Sequence, residues 1–520
     1  MPTPTPQTFE TIRHATAAGS HLLVELDLRR PFWTYFDLYR DAEYSFLLDS
    51  AKDPEKLGRH SFLGGDPFLV FRAKRREGVP PGTGGRVEIE QHRDLDGTPL
   101  ATPRVERREA DPFDALRRLL DIYGLDNAAY RDCPAPLLSG AVGYFGYEAG
   151  YFIEQLPDRG ADDLALPDIY FMFVDTLLVH DHRSGKSYLS IIGRGENGMA
   201  AEQRAIVLHD AMLERIVQFE TAAPAKWRGS DPAAVAATEI DVKEHFDEAA
   251  YVRAVETVKE HISAGDVFEV CMTHRFESPL AGGTARDLYR ELRRINPAPF
   301  ACYLHFPEAE VVSSSPERFL RLDASGVAES RPIKGTRPRG ATPDEDRLLL
   351  EDLLHSEKDR AENVMIVDLL RNDLGRVCKF GSIDVAEFMV IEDYATVFQM
   401  VSTVRGELRE GLDAIDLIRA AFPGGSMTGA PKIEAMKIID SLEPVKRGIY
   451  SGAIGYLDFS GPLDLNIVIR TLVVKDGTCY YNTGGAVVAD SDPAAEYAES
   501  LDKVRALTTA LQNLKAERTP

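Results

Sequence analysis

The chain is short of positive charge. Its 60 Lys and Arg face 83 Asp and Glu, a formal net charge of −23, which excludes nucleic acid or an anionic membrane as the main partner. An anionic substrate would then need a local cationic pocket, or a metal, inside an acidic body. Cysteine is scarce as well: Cys133, Cys271, Cys302, Cys378 and Cys479 are odd in number, scattered and without CxxC spacing. They read as reduced thiols of the cytoplasm. No apolar run is long enough to span a bilayer, and the start, MPTPTPQTFETIRHATAAG, has no basic segment leading into an apolar core. A cytoplasmic location is the expectation. Nucleotide loops are missing too. Gly140, Gly143 and Gly146 have the wrong spacing for a dinucleotide fingerprint, and Gly429 is followed by Ala430-Pro431-Lys432 where a Walker loop needs Lys and a hydroxyl residue. No internal repeat or low-complexity tract is visible.

What is present is an ordinary globular composition, 44% hydrophobic and 28% charged over 520 residues, too long for one simple core. The Ala-, Pro-, Gly- and Ser-rich stretch Ala222–Ala236 marks a boundary between an N-terminal domain, 1–235, and a second domain, 245–515. Strands are expected at Leu22–Leu26, Tyr44–Ser50, Phe68–Arg72, Gly140–Tyr147, Ile169–His180 and Ser187–Ile192. The polar stretch Arg76–Arg108 reads as exposed hairpins or a loose excursion. Helices are expected at Asp111–Tyr123 and Ala201–Glu220. In the second half a helix at Tyr251–Ala264 ends at Gly265 and leads into the strand Val267–Phe276, and Thr284–Arg294 precedes a strand at Phe300–His305. Val311–Leu322 and Arg331–Gly340 read as a strand pair whose loop ends carry Glu317 and Lys334. A helical pattern, capped by Thr342 with Pro343 and Glu345, runs with one break to Gly375. Asp464–Val474 reads as one long strand on which Asn466, Val468 and Arg470 share a face. The closing helix, with Asp492 at its N-cap, turns Tyr497, Leu501, Val504, Leu507 and Leu511 to the core.

Several stretches carry chemistry. In Ser330–Gly340, two prolines and two glycines shape a loop or strand end around Lys334. A lysine held among the neighbouring cations and partly desolvated has its pKa pushed down, which frees its amine as nucleophile or base; the plain alternative is a basic surface loop touching an acidic neighbour. Glu362 is either a helix charge paired with Lys358 or something sharper. The glycine-rich turn before Lys432 offers backbone N–H groups to a carboxylate, or simply allows tight packing. Arg470 is a cross-strand ion pair or a carboxylate anchor. Glu499 and Lys503 are a helix-supporting pair, or Glu499 joins Glu362 at a hard divalent cation while Lys503 meets a substrate carboxylate.

The stretches SSSPERF, RPIKGTRPRG, EKDRAENVMIVDLLRNDLGRV, AAFPGGSMTGAPK, GIYSGAIGY, DLNIVIRT and the helix with Glu499 and Lys503 resemble, in order and spacing, the chorismate-utilising enzymes. The N-terminal half, through SFLLDSAKDPEKLGRHSFLGGDP and SGAVGYFGYE, resembles that of anthranilate synthase component I and its para-aminobenzoate counterpart. The implied fold is α+β, two packed β-sheets forming a sandwich flanked by helices, with two interleaved domains. Within the family the chain is similar to aminodeoxychorismate synthase component I, because Pro332–Thr336 read Pro-Ile-Lys-Gly-Thr where anthranilate synthases usually read Pro-Ile-Ala-Gly-Thr.

The resemblance implies that Glu362 and Glu499 hold magnesium, that Glu317 protonates the departing C4 hydroxyl of chorismate, and that Lys334 attacks C2 to form a covalent adduct. Ammonia then adds at C4 and expels the lysine, giving 4-amino-4-deoxychorismate for para-aminobenzoate and folate biosynthesis. Gly335, Thr336, Tyr450, Arg470, Gly484, Gly485, Ala486 and Lys503 match substrate-binding positions, with Arg470 and Tyr450 suited to the enolpyruvyl carboxylate. Ser50 and Pro297-Ala298-Pro299 match motifs at which relatives hold tryptophan as inhibitor or structural ligand. No cysteine has the glycine-flanked setting of a glutaminase nucleophile, so ammonia is expected from a separate glutamine amidotransferase subunit. Three departures stand out. Glu269 lies where relatives often have glutamine and isochorismate synthases have lysine, which disfavours isochorismate formation. Phe398 and Gln399 lie where relatives commonly carry the histidine of the aromatising step, and Ala486 replaces a frequent glycine. The alternatives are anthranilate synthase component I and an inactive, chorismate- or tryptophan-sensing paralogue.

Overall fold

The computed structural model describes residues 11–15, 19–53, 55–76, 84–94, 98–130, 133–223, 239–394 and 397–516. Most of the expected boundary at Ala222–Ala236 and parts of Arg76–Arg108 therefore lie outside the described residues. The strands form two sheets whose ladders are all antiparallel. The first runs in the order Thr11–Ala15, Ser20–Leu26, Lys186–Gly193, Thr176–Asp181, His60–Gly65, Ser45–Asp49, Phe300–Phe306, Ala309–Ser315, Thr471–Lys475, Thr478–Val487, Glu269–Pro279 and Lys243–Glu244, with Gly429–Ala430 also on Glu269–Pro279. The second runs Ile333–Pro338, Val397–Glu407, Val327–Arg331, Arg318–Leu322, Leu463–Asn466, Ala453–Asp458, Gly140–Phe145, Ile169–Val174, Leu69–Lys74, Gly85–Arg93 and Pro99–Ala110, with Asp384–Asp393 beside Val397–Glu407. Both halves of the chain contribute to each sheet. They meet where Leu47 pairs with Tyr303 and where Gly143 pairs with Gly455.

Alternation along the first sheet's strands explains its layers. Leu23, Phe46, Phe62, Val311 and Val473 join a core shared with the second sheet, while their neighbours Leu22, Leu47, Leu63, Val312 and Leu472 pack on the opposite face against helical Met212, Leu288, Leu292, Leu507 and Leu511. Side chains of period two thus serve two cores, one between the sheets and one under the helices. This is the two-sheet sandwich with flanking helices that the resemblance implies.

The helices begin and end where local chemistry dictates. Asp111 caps Pro112–Ile122 through the N–H groups of Phe113 and Asp114, Thr284 closes a capping box on Ala285–Ile295, and Gly265 ends Glu248–Ala264 at φ 85°. The long helical pattern is two helices, Pro343–His355 and Glu357–Gly375, broken at Ser356, whose hydroxyl caps the second. Leu501 is exposed, unlike Val504, Leu507 and Leu511 on the same helix.

Three runs that read as single strands are each two strands in different sheets. Ile169–Val174 and Thr176–Asp181 separate at Asp175; Ala309–Ser315 and Arg318–Leu322 separate at Pro316-Glu317; Leu463–Asn466 and Thr471–Lys475 separate at 467–470. The expected pairing of Val311–Leu322 with Arg331–Gly340 is accordingly confined to Arg318–Leu322 against Val327–Arg331, and the strand of Lys334 pairs instead with Val397–Glu407. The second and third crossovers lie side by side. The Ile467 N–H donates to the Glu317 carbonyl at 3.0 Å, the Ser315 hydroxyl to the Ile467 carbonyl at 2.6 Å, and the Ser314 N–H to the Arg470 carbonyl at 3.1 Å. None of the described helices is long and apolar enough to cross a membrane.

Candidate active site

Lys334 is aimed by a bulge. Between Ile333, opposite Val401, and Thr336, opposite Gln399, its strand holds one more residue than its partner. Gly335 takes up the irregularity at φ 88°, where a side chain would also strike Leu353 and Asp359. A bulge of this kind re-aims a side chain, and here Lys334 enters a cavity of about 1050 Å³ whose walls include Glu317, Glu362, Tyr450, Arg470, Gly484–Ala486, Glu499 and Lys503. Every residue expected from the sequence at the metal, the substrate or the chemistry lines this one cavity.

The Lys334 ammonium is 8% exposed, lies 2.7 Å from Glu269 Oε1 and 3.5 Å from Glu362 Oε2. Burial pulls its pKa down, but the Glu269 and Glu362 carboxylates outweigh burial and raise it. This corrects the expectation of a lysine depressed by neighbouring cations. Those cations are engaged elsewhere: Arg331 with Glu387 and Glu392, Arg337 with Asp352 and Asp359, Arg339 with Asp346 and Asp393.

Glu317 is buried at the crossover after Ser315, and burial pushes its carboxyl up to about 7 against the lowering pulls of Ser426, Lys334 and Arg470. Ser426 comes from the glycine-rich turn, so that turn serves the site through a hydroxyl. Its glycines allow close packing, since a Cβ on Gly424 or Gly425 would strike Ile467 or Leu369. Arg470 occupies the left-handed region at φ 51°, a conformation tolerated in a non-glycine residue where surrounding structure holds it. Its guanidinium makes no ion pair among the described residues; burial lowers its pKa and Glu317 opposes this. Asp464–Val474 thus presents Arg470 from a crossover and not from a strand face.

Opposite stands the closing helix, Pro493–Ala516. Lys503 bonds Glu499 at 2.8 Å and the Gly484 carbonyl at 2.9 Å. Gly484–Ala486 lie near the end of Thr478–Val487, not at its start, paired with Thr273, Met272 and Cys271. A Cβ on Gly485 would meet Glu496 Oε2 at 3.0 Å. Glu362 is not paired with Lys358, whose ammonium binds Glu496 at 3.3 Å. Burial lowers the Lys358 pKa, and Glu496, Glu362 and Glu499 together overcome it. Three carboxylates therefore converge on one cation, an all-oxygen donor set of the kind magnesium takes. Burial raises the Glu362 carboxyl, whereas Lys503, Lys358 and Lys334 overcome burial to lower Glu499.

Glu269, Glu496 and Ser426 are the site residues that sequence reasoning left without a task. For Glu496 the available signal is its position one helical turn before Glu499. Gln399 is buried and lines the cavity, while Phe398 packs away from it with Leu353 and Met400.

Ser50 and Pro299 meet elsewhere. The Ser50 hydroxyl donates to the His60 carbonyl at 2.6 Å and to the Pro299 carbonyl at 3.3 Å, at the wall of a second cavity of about 580 Å³. Pro297 and Ala298 do not line it. All five cysteines are free thiols, and burial pushes Cys302 and Cys479 up to about 12 and Cys378 up to about 11.

Residues 74–509 match the chorismate binding enzyme family. The chain is 37% identical over 493 residues to anthranilate synthase component 1 of Aquifex aeolicus, across 94% of this chain and 93% of that one. It is 41% identical over 493 residues to an aminodeoxychorismate synthase of Streptomyces pristinaespiralis, across 93% of this chain and 64% of that longer protein. The crystal structure of anthranilate synthase component I from Streptococcus pneumoniae TIGR4 superposes with a TM-score of 0.71 at 28% identity, covering 88% of this chain and 95% of that one. On a match spanning most of its length, and on relatives aligned almost end to end, the chain belongs to the chorismate-binding enzymes.

Proposed function

We propose that the protein aminates chorismate to 4-amino-4-deoxychorismate, using ammonia from a separate glutamine amidotransferase and a magnesium ion, on the way to para-aminobenzoate and folate. The observation that carries this reading is the buried Lys334 amine, re-aimed by its bulge into the same cavity as a carboxyl, Glu317, whose pKa is pushed up to about 7. A carboxyl in that range is protonated often enough near neutrality to act as a general acid.

Chorismate carries two carboxylates and a hydroxyl that leaves poorly. Arg470, with no competing ion pair among the described residues, and the Tyr450 hydroxyl suit the enolpyruvyl carboxylate. Glu362 and Glu499, with Glu496 beside them, would hold magnesium; when bound it draws charge from the ring carboxylate and so from the ring. Glu317 delivers its proton to the C4 oxygen, and the Lys334 nitrogen bonds to C2 as water departs. Ammonia then adds at C4 and the lysine leaves. A separate ammonia source is supported by the buried cysteines, whose thiols are raised and not activated.

The relatives named anthranilate synthase component 1 favour a second reading, anthranilate formation. Mass spectrometry of products from chorismate, magnesium and an ammonium salt separates the two. The expected product is 4-amino-4-deoxychorismate, lost on chelation of the metal. Fluorescent anthranilate as the main product would reject the first reading, and no consumption of chorismate would point to a sensing protein.

A further inference from the structure

A lysine whose ammonium is stabilised has no lone pair with which to attack. If Lys334 is the nucleophile, a group must take its proton at the moment of bonding. We propose that Glu269 is that group: it accepts the proton Lys334 loses as its nitrogen bonds to the substrate ring, and returns it when the amine departs. The inference rests on the nucleophile reading above.

Three carboxylates surround this lysine, and the geometry separates their tasks. Glu317 faces the cavity from the crossover, and Glu362 shares Lys358 with the carboxylates of the closing helix. Glu269 is 0% exposed and does not line the cavity, so it meets the substrate only through Lys334. It opens the strand Glu269–Pro279, opposite Ala430, and the next residues pair with Val487 and Ala486. Backbone on both sides thus fixes its position. Oε1 holds the Lys334 Nζ at 2.7 Å, while Oε2 is buried and has no hydrogen-bond partner. A buried acceptor left unmatched costs stability and calls for a reason. Transient protonation of this carboxylate supplies one, because a neutral carboxyl tolerates such surroundings better than a carboxylate.

The bookkeeping of atoms closes. One proton passes from the Lys334 nitrogen to Glu269 and one from Glu317 to the C4 oxygen. The C2–N bond forms, the two ring double bonds shift, and the C4–O bond breaks to release water. On return, ammonia adds at C4, the double bonds shift back, and the C2–N bond breaks. The product leaves with a C4 ammonium, Lys334 recovers its proton from Glu269, and Glu317 is reprotonated from solvent.

The test uses the full chain with magnesium and chorismate but no ammonia, following by quenched flow and intact-protein mass spectrometry an adduct with the mass of chorismate less one water. Glu269→Gln keeps the size and an acceptor for Lys334 but cannot take its proton. Its chorismate affinity by calorimetry should stay near that of the wild type, while adduct formation slows on the order of 100-fold or more. Glu269→Asp should recover part of the rate. Adduct formation by Glu269→Gln at the wild-type rate overturns the proposal, and so does loss of chorismate binding in step with the adduct, which would make Glu269 a structural residue. Absence of any adduct in the wild type removes the nucleophile reading itself, a result distinct from either.

Discussion

In the larger cavity charges are held apart from their best partners. Arg470 has no ion pair among the described residues, Glu269 keeps an unmatched oxygen, and Glu317 is pushed up to about 7. In the smaller cavity the charges are settled. Arg318 lies between Asp464 and Glu329 at 2.9 Å each, Asp49 accepts from Tyr289 at 3.0 Å, and Arg59 holds Asp181 at 2.8 Å. One segment borders both: Asp464 and Asn466 line the small cavity, and Ile469 and Arg470, past the crossover, line the large one. Perturbed groups cluster where chemistry is done, and satisfied pairs line a site that can hold its shape without reacting.

If that contrast is real, substitutions should act on chemistry in one cavity and on stability in the other. The largest effect belongs to Lys334→Ala, expected to reduce amination by on the order of 1000-fold or more. It also leaves Glu269 and Glu362 without their cation, so Lys334→Arg, which restores the charge but no nucleophilic amine, should be as inactive in the same chorismate-depletion assay. Next is Glu317→Gln, with a loss of roughly 100-fold or more in kcat/KM.

The pH dependence follows from the same carboxyl. Glu317 works in its protonated form, so kcat/KM should hold level below its pKa and fall above about pH 7. The fall assigned to this carboxyl should vanish in the glutamine variant; a wild-type rate rising through pH 7 would speak for a base instead. Arg470→Ala should raise the KM for chorismate roughly 10- to 100-fold, the worth of a charge-assisted carboxylate contact, with a smaller change in kcat. The smallest effect is at the quiet cavity. Ser50→Ala loses the bonds to the His60 and Pro299 carbonyls and should lower stability by about 1 kcal/mol in urea unfolding. Its turnover should move far less than in any change above, and a comparable loss of turnover would break the contrast.

Local chemistry made much of this legible. Caps at Asp111, Thr284, Thr342 and Ser356 and the stop at Gly265 are written in a few adjacent residues. The crossovers were not. Val311–Leu322 stays apolar through the switch because the first sheet is buried on both faces, so no change of alternation marks where the chain leaves it. The surroundings of Lys334 were misread for a related reason. Sequence neighbours supply cations, but strand alternation and the bulge turn those arginines to acids from other segments, and the groups that meet the amine come from Glu269 and Glu362, 65 and 28 positions away.

The account stands on one nitrogen. Peptide mapping of protein incubated with chorismate and magnesium in the absence of ammonia, then rapidly quenched, should find the substrate-derived mass on the peptide containing Lys334 and nowhere else. An unmodified Lys334 peptide alongside full ammonia-dependent turnover would contradict it.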